Sequence, residues 1–144
     1  MKKIWLILLF AVLLSCAKDE TLADGVANTT WTGRSEDKRT YTYSDKDGTV
    51  TKENTITKDV VLKFIDSSKG TIKIATKNSN KEFSSTDGVV EFSFTYTYDL
   101  NYRSGKITYD LGENNFCIES TFEIRDGFLY EYSGYVGEME YYRK

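Results

Sequence analysis

Few side chains in this 144-residue sequence are of the types that carry out covalent or acid–base chemistry. The chain has two cysteines, Cys16 and Cys117, and no histidine, so the commonest general base and metal ligand is missing. A nucleophilic cysteine needs a neighbouring base, and Cys117 has no histidine to serve as one. We therefore predict a protein without catalytic residues, metal site or cofactor, and an enzyme is the least favoured of three functional classes.

Two glutamate pairs, Glu119 with Glu123 and Glu138 with Glu140, share a face of their predicted strands. Paired carboxylates can cleave glycosidic bonds when a pocket holds them at the right separation. Alternation places both pairs on a solvent-facing side, so we interpret them as solvated surface. Asp45-Lys46-Asp47-Gly48 lacks the length and the closing glutamate of an EF-hand loop, and we interpret it as a hairpin turn.

Residues 1–15 have the pattern of a secretory signal peptide, with Lys2 and Lys3 followed by the apolar residues 4–14. The apolar run is about half of the roughly 20 residues that a transmembrane helix needs, so a permanent membrane span is not expected. Cys16 follows directly. We predict that residues 1–15 are removed and that the mature chain starts at Cys16.

Leu13-Leu14-Ser15-Cys16 resembles the lipobox of bacterial lipoproteins. The resemblance implies that the Cys16 thiol takes a diacylglyceryl group, that the signal is cut before it, and that the new amine is acylated. Two or three fatty-acyl chains, such as palmitate, hold a soluble domain firmly on a bilayer. Ala17 implies sorting to the cell outer membrane. Lys18-Asp19-Glu20 resembles a surface-export signal, so outward display of the lipid-anchored domain is our hypothesis.

Residues 16–28 are predicted to be the lipidated N-terminus and a flexible tether, because they contain few large apolar residues. Residues 29–144 are predicted to form one domain. Without residues 1–15, 17 Lys and Arg face 22 Asp and Glu, which gives a net charge of −5. This balance argues against a nucleic-acid partner, whose phosphates require clustered positive charge.

Alternation of apolar and polar residues predicts strands throughout the domain. The clearest case places Val90, Phe92, Phe94, Tyr96 and Tyr98 on one face, which is typical of a half-buried strand. Similar segments bring the total to eight or nine strands. The other segments are residues 39–43, 49–57, 60–65, 71–76, 106–111, 116–124, 128–133 and 137–143.

Short turns connect these segments. Asp47-Gly48, Asp87-Gly88 and Asp126-Gly127 are typical of hairpins, because type I′ turns favour residues that tolerate a positive φ. Sequential strands joined by such turns form an antiparallel meander. Closure removes exposed sheet edges, so we predict an all-β, up-and-down barrel of about eight strands, with a β-sandwich as the alternative.

Thr29-Thr30-Trp31-Thr32-Gly33 opens the domain, and Tyr141-Tyr142-Arg143 closes it. This arrangement resembles lipocalin-like (calycin) barrels, in which a Trp on the first strand packs against an Arg from the last strand at the closed end. The resemblance implies that Trp31 and Arg143 are a structural, barrel-closing pair. Strand parity agrees, because Arg143 shares a face with Met139, and an Arg over an indole ring is worth about 0.5–2 kcal/mol.

Strand parity also directs a set of tyrosines inward. That set is Tyr41, Tyr43, Tyr96, Tyr98, Tyr109, Tyr130, Tyr132 and Tyr141. We predict that Tyr96, Tyr98, Tyr109, Tyr130 and Tyr132 form a ligand site, with rings for stacking and hydroxyls for orientation. The alternative is that tyrosine side chains simply fill a small core, as in many eight-stranded barrels.

Two functions follow from these alternatives. The first is a non-catalytic envelope lipoprotein that binds a small apolar or glycan-like ligand. The second is a structural or protein-interaction module, such as an accessory subunit or inhibitor, whose barrel is filled. An open cavity lined by Tyr96, Tyr98 and Tyr130 would favour ligand binding, and a filled core would favour the interaction module.

Overall fold

The computed structural model describes residues 25–80, 87–112 and 117–144. The predictions for the signal peptide, for Cys16 and for most of the tether fall on residues 1–24 and lie outside the described residues. Within the described ranges there is no helix, and so none that is long and apolar enough to cross a membrane. The strands are β1 (Thr30–Asp45), β2 (Gly48–Phe64), β3 (Lys69–Asn78), β4 (Gly88–Asp99), β5 (Ser104–Asp110), β6 (Cys117–Arg125), β7 (Phe128–Gly134) and β8 (Gly137–Arg143).

Each strand pairs antiparallel with its neighbour in the sequence, and β8 returns to β1, so the sheet closes into a barrel. The predicted all-β antiparallel meander and its closure are confirmed, and the sandwich alternative is wrong. The largest differences from the prediction are in β1, which runs from Thr30 to Asp45 and not only over residues 39–43, and in β2, a single strand that contains residues 49–57 and 60–65. Lys58 and Asp59 lie between them and continue the pairing with β1, opposite Ser35 and Arg34.

The barrel has two ends, which we name by the chain. The N-terminal end is where β1 begins at Thr30 and β8 ends at Arg143, and the distal end lies opposite. Val26, which precedes β1, is only 1% exposed and belongs to the hydrophobic core. The segment that leads into β1 therefore covers the core at the N-terminal end.

Three core glycines lie directly opposite aromatic residues of the neighbouring strand. The pairs are Gly33 with Tyr141, Gly70 with Phe94, and Gly105 with Phe122. A Cβ atom added at Gly33 would lie 2.8 Å from Tyr141 Cδ1, and one added at Gly105 would lie 2.7 Å from Phe122 Cε1. Both distances are below van der Waals contact. The missing side chains of these glycines therefore provide the space for the rings, a device known for stabilising glycines in sheets.

Aromatic rings fill the interior between these strands. The Phe64 ring lies 5.3 Å from the Phe94 ring, 4.8 Å from the Tyr96 ring and 5.7 Å from the Phe122 ring, measured between centroids. The first two pairs are edge-to-face, a geometry that adds about 0.5–1.5 kcal/mol per pair beyond burial, and the third is tilted. Phe64 itself is fully buried. The rings therefore form a continuous packed layer across the barrel.

The predicted cation–π pair between Trp31 and Arg143 is not formed. Trp31 is 1% exposed, and its indole N–H donates a 2.8 Å hydrogen bond to Thr29 Oγ1, whose own hydroxyl donates to the Val26 carbonyl. Arg143 is the cross-strand partner of Trp31, but its side chain is exposed and no cation–π contact joins the two residues. The last strand ends at Arg143, so no further structure of β8 holds the guanidinium over the indole ring.

Strands β1 and β2 extend well beyond the barrel. β1 pairs with β8 only from Trp31 to Gly33, and β2 pairs with β3 only from Ile56 onward. We call residues 34–45 and 48–55 the arm. Its outer part, residues 38–45 paired with 48–55, is a two-stranded hairpin that projects from the distal end, whereas residues 34–37 pair with the part of β2 that belongs to the barrel. Most of its side chains are exposed.

Candidate functional site

Three of the five predicted ligand-binding tyrosines lie in the packed core. Tyr96 is 6% exposed, and its hydroxyl donates to the backbone carbonyl of Asp66. Tyr98 is partly buried, and its ring stacks on the Phe122 ring at 5.8 Å with an interplanar angle of 10°. Tyr109 is fully buried. The structure therefore brings these three inside the barrel, where they pack against neighbouring side chains.

The predicted inward orientation of Tyr130 and Tyr132 is wrong. In β7 the buried residues are Leu129 and Glu131, so Tyr130 and Tyr132 face outward. The Tyr41 and Tyr43 side chains are also not in the interior, because both residues belong to the arm. The five tyrosines therefore do not converge on one interior site.

The inward face of β7 carries instead a buried carboxylate that the sequence analysis missed. Glu131 is 1% exposed and accepts three hydroxyl hydrogen bonds. Tyr109 and Ser120 donate to Glu131 Oε1 at 2.5 and 2.7 Å, and Tyr141 donates to Oε2 at 2.8 Å. A Cβ atom at Gly134 would collide with Oε1, so this glycine leaves the room that the carboxylate occupies. We call these four hydrogen-bonded residues the carboxylate cluster.

Electrostatics in the carboxylate cluster keep the phenols protonated. Burial and the neighbouring charge of Glu131 raise the pKa of Tyr109 well above its ordinary value, and the same causes raise the pKa of Tyr141. A base would need an open path to a substrate proton, but the Glu131 oxygens are occupied by hydroxyl donors and shielded from solvent. The arrangement suits a structural role in the core.

The outward tyrosines belong to a polar surface on β6 and β7. The Tyr132 hydroxyl donates to Glu123 Oε1 at 2.7 Å, and the Arg125 guanidinium lies 4.5 Å from the centroid of the Tyr130 ring. Arg125 also forms a 3.3 Å ion pair with Glu123. Both tyrosines therefore have defined partners on the outside of the barrel.

A cleft of about 510 Å³ lies on the outer surface beside the turn between β4 and β5. Its lining residues include Tyr102, Tyr132, Glu123 and Lys106, together with Tyr98, whose ring stacks on Phe122 inside the barrel. We call it the outer cleft. Rings beside carboxylate and ammonium groups can stack on an apolar sugar face and bond to its hydroxyls, so the outer cleft has the chemistry of a glycan-like site.

The distal mouth of the barrel offers less space. A pocket of about 260 Å³ is lined by Lys58, Ile74, Val90, Tyr135 and Val136 among others. This volume is below the roughly 300–1,000 Å³ of typical small-molecule sites. None of the five predicted tyrosines contributes to it.

The remaining candidates for chemistry stay apart. Cys117 is exposed at the start of β6 and faces outward, as its alternation with Ile118 predicts. Among the described residues, no group of three or more Cys, Asp or Glu side chains is placed to hold a metal ion. Glu119 and Glu123 lie on the outer face of β6, and only Glu123 lines the outer cleft.

No protein-family model matches the chain, and comparisons with curated proteins and with solved structures likewise gave no match.

Alkaline pH should destabilise the fold through Tyr109 and Tyr141. Their pKa values are raised in the folded protein, so the unfolded chain loses its phenolic protons first, from about pH 10 upward. Because the unfolded state then binds fewer protons, the free energy of unfolding falls as the pH rises, by about 1.4 kcal/mol per pH unit for each tyrosine. Urea unfolding from about pH 8 to about pH 11 measures this slope.

Two variants test whether Tyr141 causes this dependence of the free energy of unfolding on pH. Tyr141→Phe should make it shallower by about 1.4 kcal/mol per pH unit, whereas Tyr102→Phe, at a residue that is 80% exposed, should leave it unchanged. Equal slopes in the wild type and in Tyr141→Phe would show that the carboxylate cluster does not control alkaline stability.

Proposed function

We propose that this protein is a non-catalytic interaction module of the bacterial cell envelope, which contacts a protein partner through its arm. The observation that supports this most is the filled interior. Aromatic rings and the carboxylate cluster occupy the space in which a lipocalin-like barrel would hold a ligand. The elements left for recognition are therefore on the outside, and the arm is the largest of them.

We further propose that the module is a lipoprotein held on the outer membrane by Cys16. The lipobox resemblance of Leu13-Leu14-Ser15-Cys16 supports this, and so does the way the chain enters the barrel. Nine peptide steps separate Cys16 from Gly25, a reach of roughly 30 Å when fully extended. The described chain starts at the N-terminal end, whereas the arm projects from the distal end, so the arm would point away from the lipid surface.

A second candidate function is binding of a glycan-like ligand in the outer cleft. The observation that favours it is the presence of Tyr98 and Tyr132, two of the five predicted residues, in the cleft lining together with Tyr102. Tyr132 already orients its hydroxyl on Glu123. The ligand hypothesis therefore moves from the interior to the outer surface.

Replacement of Cys16 tests the anchor. Cys16→Ser should move the protein from the membrane fraction to the soluble fraction of broken cells, because the acyl chains have no other thiol at the mature start. Cys117→Ser is the matched control, since Cys117 lies on the barrel surface, and it should stay with the membranes. A Cys16→Ser protein that still sediments with membranes would contradict the anchor.

Shortening the arm tests the interaction module. Replacing residues 40–53 by Asn-Gly joins Arg39 to Asn54, which are cross-strand partners, through a two-residue hairpin turn. It keeps the bond from Asn80 N–H to Asn54 Oδ1. We expect the barrel to remain folded by circular dichroism, and cross-linked species seen with the full chain in intact cells to disappear.

The control for that experiment is Tyr142→Ala, a change on the exposed outer face of β8, which should leave the cross-links unchanged. Cross-links that persist after the arm is shortened would show that another surface carries the interaction.

The outer cleft is tested by titrating the protein with soluble chito-, cello- and malto-oligosaccharides. Tyr132→Ala should weaken any binding by at least about tenfold, since loss of a stacking ring removes on the order of 1.4 kcal/mol. Tyr142→Ala removes a comparably exposed ring outside the cleft and should have no effect. Absence of binding, or equal binding by both variants, would eliminate this second function.

A further inference from the structure

Alternate residues of β1 direct their backbone N–H and C=O groups to opposite sides of the strand. The Thr29 carbonyl accepts from Phe64 N–H on the β2 side, and the Thr30 carbonyl accepts from Lys144 N–H on the β8 side. The β1–β2 register is uninterrupted from Thr30 to Asp45. Successive residues of a strand point their polar groups to opposite sides, so even-numbered residues of β1 direct N–H and C=O away from β2 along the whole arm.

Beyond Gly33, no strand of the described chain pairs with this edge. Continuing the β1–β8 register would place Glu36 directly opposite Glu138, a like-charge pair that is destabilising, and Arg34 opposite Glu140. Arg34 instead forms ion pairs with Glu36 at 3.4 Å and with Asp59 at 3.8 Å. The two strands do not pair there, so this edge is left available to another chain.

We propose that the β1 edge of the arm pairs antiparallel with the same edge of a second copy of this chain. This inference rests on the proposed function and specifies the partner of the arm. An exposed row of backbone donors and acceptors is a template for strand addition. Residues 35–45 carry two basic and three acidic side chains, a net charge of −1, so two such edges meet without strong repulsion.

Parity and charge together select the register of this pairing. Only even-numbered residues of β1 direct their backbone N–H and C=O groups away from β2. Hydrogen-bonded pairs between two copies therefore join even-numbered residues to each other. This requires the two-fold axis to pass through a residue and not between two residues. An axis at Thr40 places Lys38 opposite Thr42 of the second copy, and Glu36 opposite its Ser44, with no like charges opposed. It would form about ten backbone hydrogen bonds.

Neighbouring registers are disfavoured by charge. An axis at Arg39 would oppose the two Arg39 side chains, and an axis at Tyr41 would oppose Asp37 to Asp45 of the second copy. Like charges directly opposite each other destabilise a strand pair. In the Thr40 register Asp45, the last β1 residue of the second copy, lies opposite Ser35, so the new strand pairing ends before the β1–β8 pairs begin at Gly33.

Disulfide trapping tests this register in the full chain carrying Cys117→Ser. A hydrogen-bonded antiparallel pair has a Cα–Cα distance of about 5.5 Å, within the range of about 4.4–6.8 Å that a disulfide spans. Thr40→Cys should therefore give a disulfide-linked dimer on mild oxidation of intact cells. Thr51→Cys is the matched control, because Thr51 lies in the arm on β2, and it should give much less.

A proline variant tests the edge without a thiol. Thr40→Pro removes an N–H that points away from β2, so it leaves the β1–β2 hydrogen bonds intact, whereas Thr40→Val keeps the N–H. Sedimentation of the detergent-solubilised full chain should show a dimer for the wild type and for Thr40→Val. The dissociation constant should rise at least about tenfold for Thr40→Pro.

The outcomes separate this inference from the proposed function. A monomeric wild-type chain, or trapping by Thr51→Cys that equals trapping by Thr40→Cys, would overturn self-pairing. If arm-dependent cross-links to a different protein were then found in cells, the proposed function would stand with another partner. If shortening the arm removed only the cross-link between two copies of the chain, while the Thr40→Cys dimer formed, self-pairing would stand without a separate envelope partner.

Discussion

The space inside an eight-stranded barrel is the constraint on which the rest of this structure depends. Eight strands enclose only enough volume for their own side chains, and this chain directs large rings into that volume. Glycine on the facing strand makes the packing feasible, as Gly70 does for Phe94 and Gly105 does for Phe122. Restoring a side chain at such a glycine would overpack the core, which typically costs 1–3 kcal/mol.

A glycine also leaves the space for a buried charge. Glu131 sits where Gly134 has no side chain, and it is bonded by Tyr109, Ser120 and Tyr141. These four hydrogen-bonded residues come from four consecutive strands, β7, β5, β6 and β8, so one carboxylate links half of the barrel. Burial of an unpaired carboxylate costs several kcal/mol, and charge-assisted hydrogen bonds from hydroxyls offset that cost only if the strands keep their register.

The sequence predicted the fold class well, because alternation and Asp-Gly turns are local signals. The prediction of which side chains face the interior was wrong for β7. Both faces of this strand carry large side chains, and hydrophobicity alone favours tyrosine over glutamate as the buried residue. The turn at Asp126-Gly127 indicates which face of β7 is buried. It sets Arg125 opposite Phe128 and hence Phe122 opposite Glu131, and opposed residues share a face, so an inward Phe122 requires an inward Glu131. No local signal indicates the hydroxyl partners of Glu131, since they come from strands distant in the sequence.

Closing a sheet into a barrel removes its edges only where neighbouring strands pair along their whole length. β1 has 16 residues and β8 has seven, and the two strands pair only from Trp31 to Gly33, so the remainder of β1 is an edge again. Natural proteins usually protect such edges with charges, prolines or bulges. This chain contains no proline, and the β1–β2 register runs through the arm without a bulge. Charge is then the remaining control on what pairs with the edge. Because charge acts through register, it favours some pairings of this edge with another strand over others.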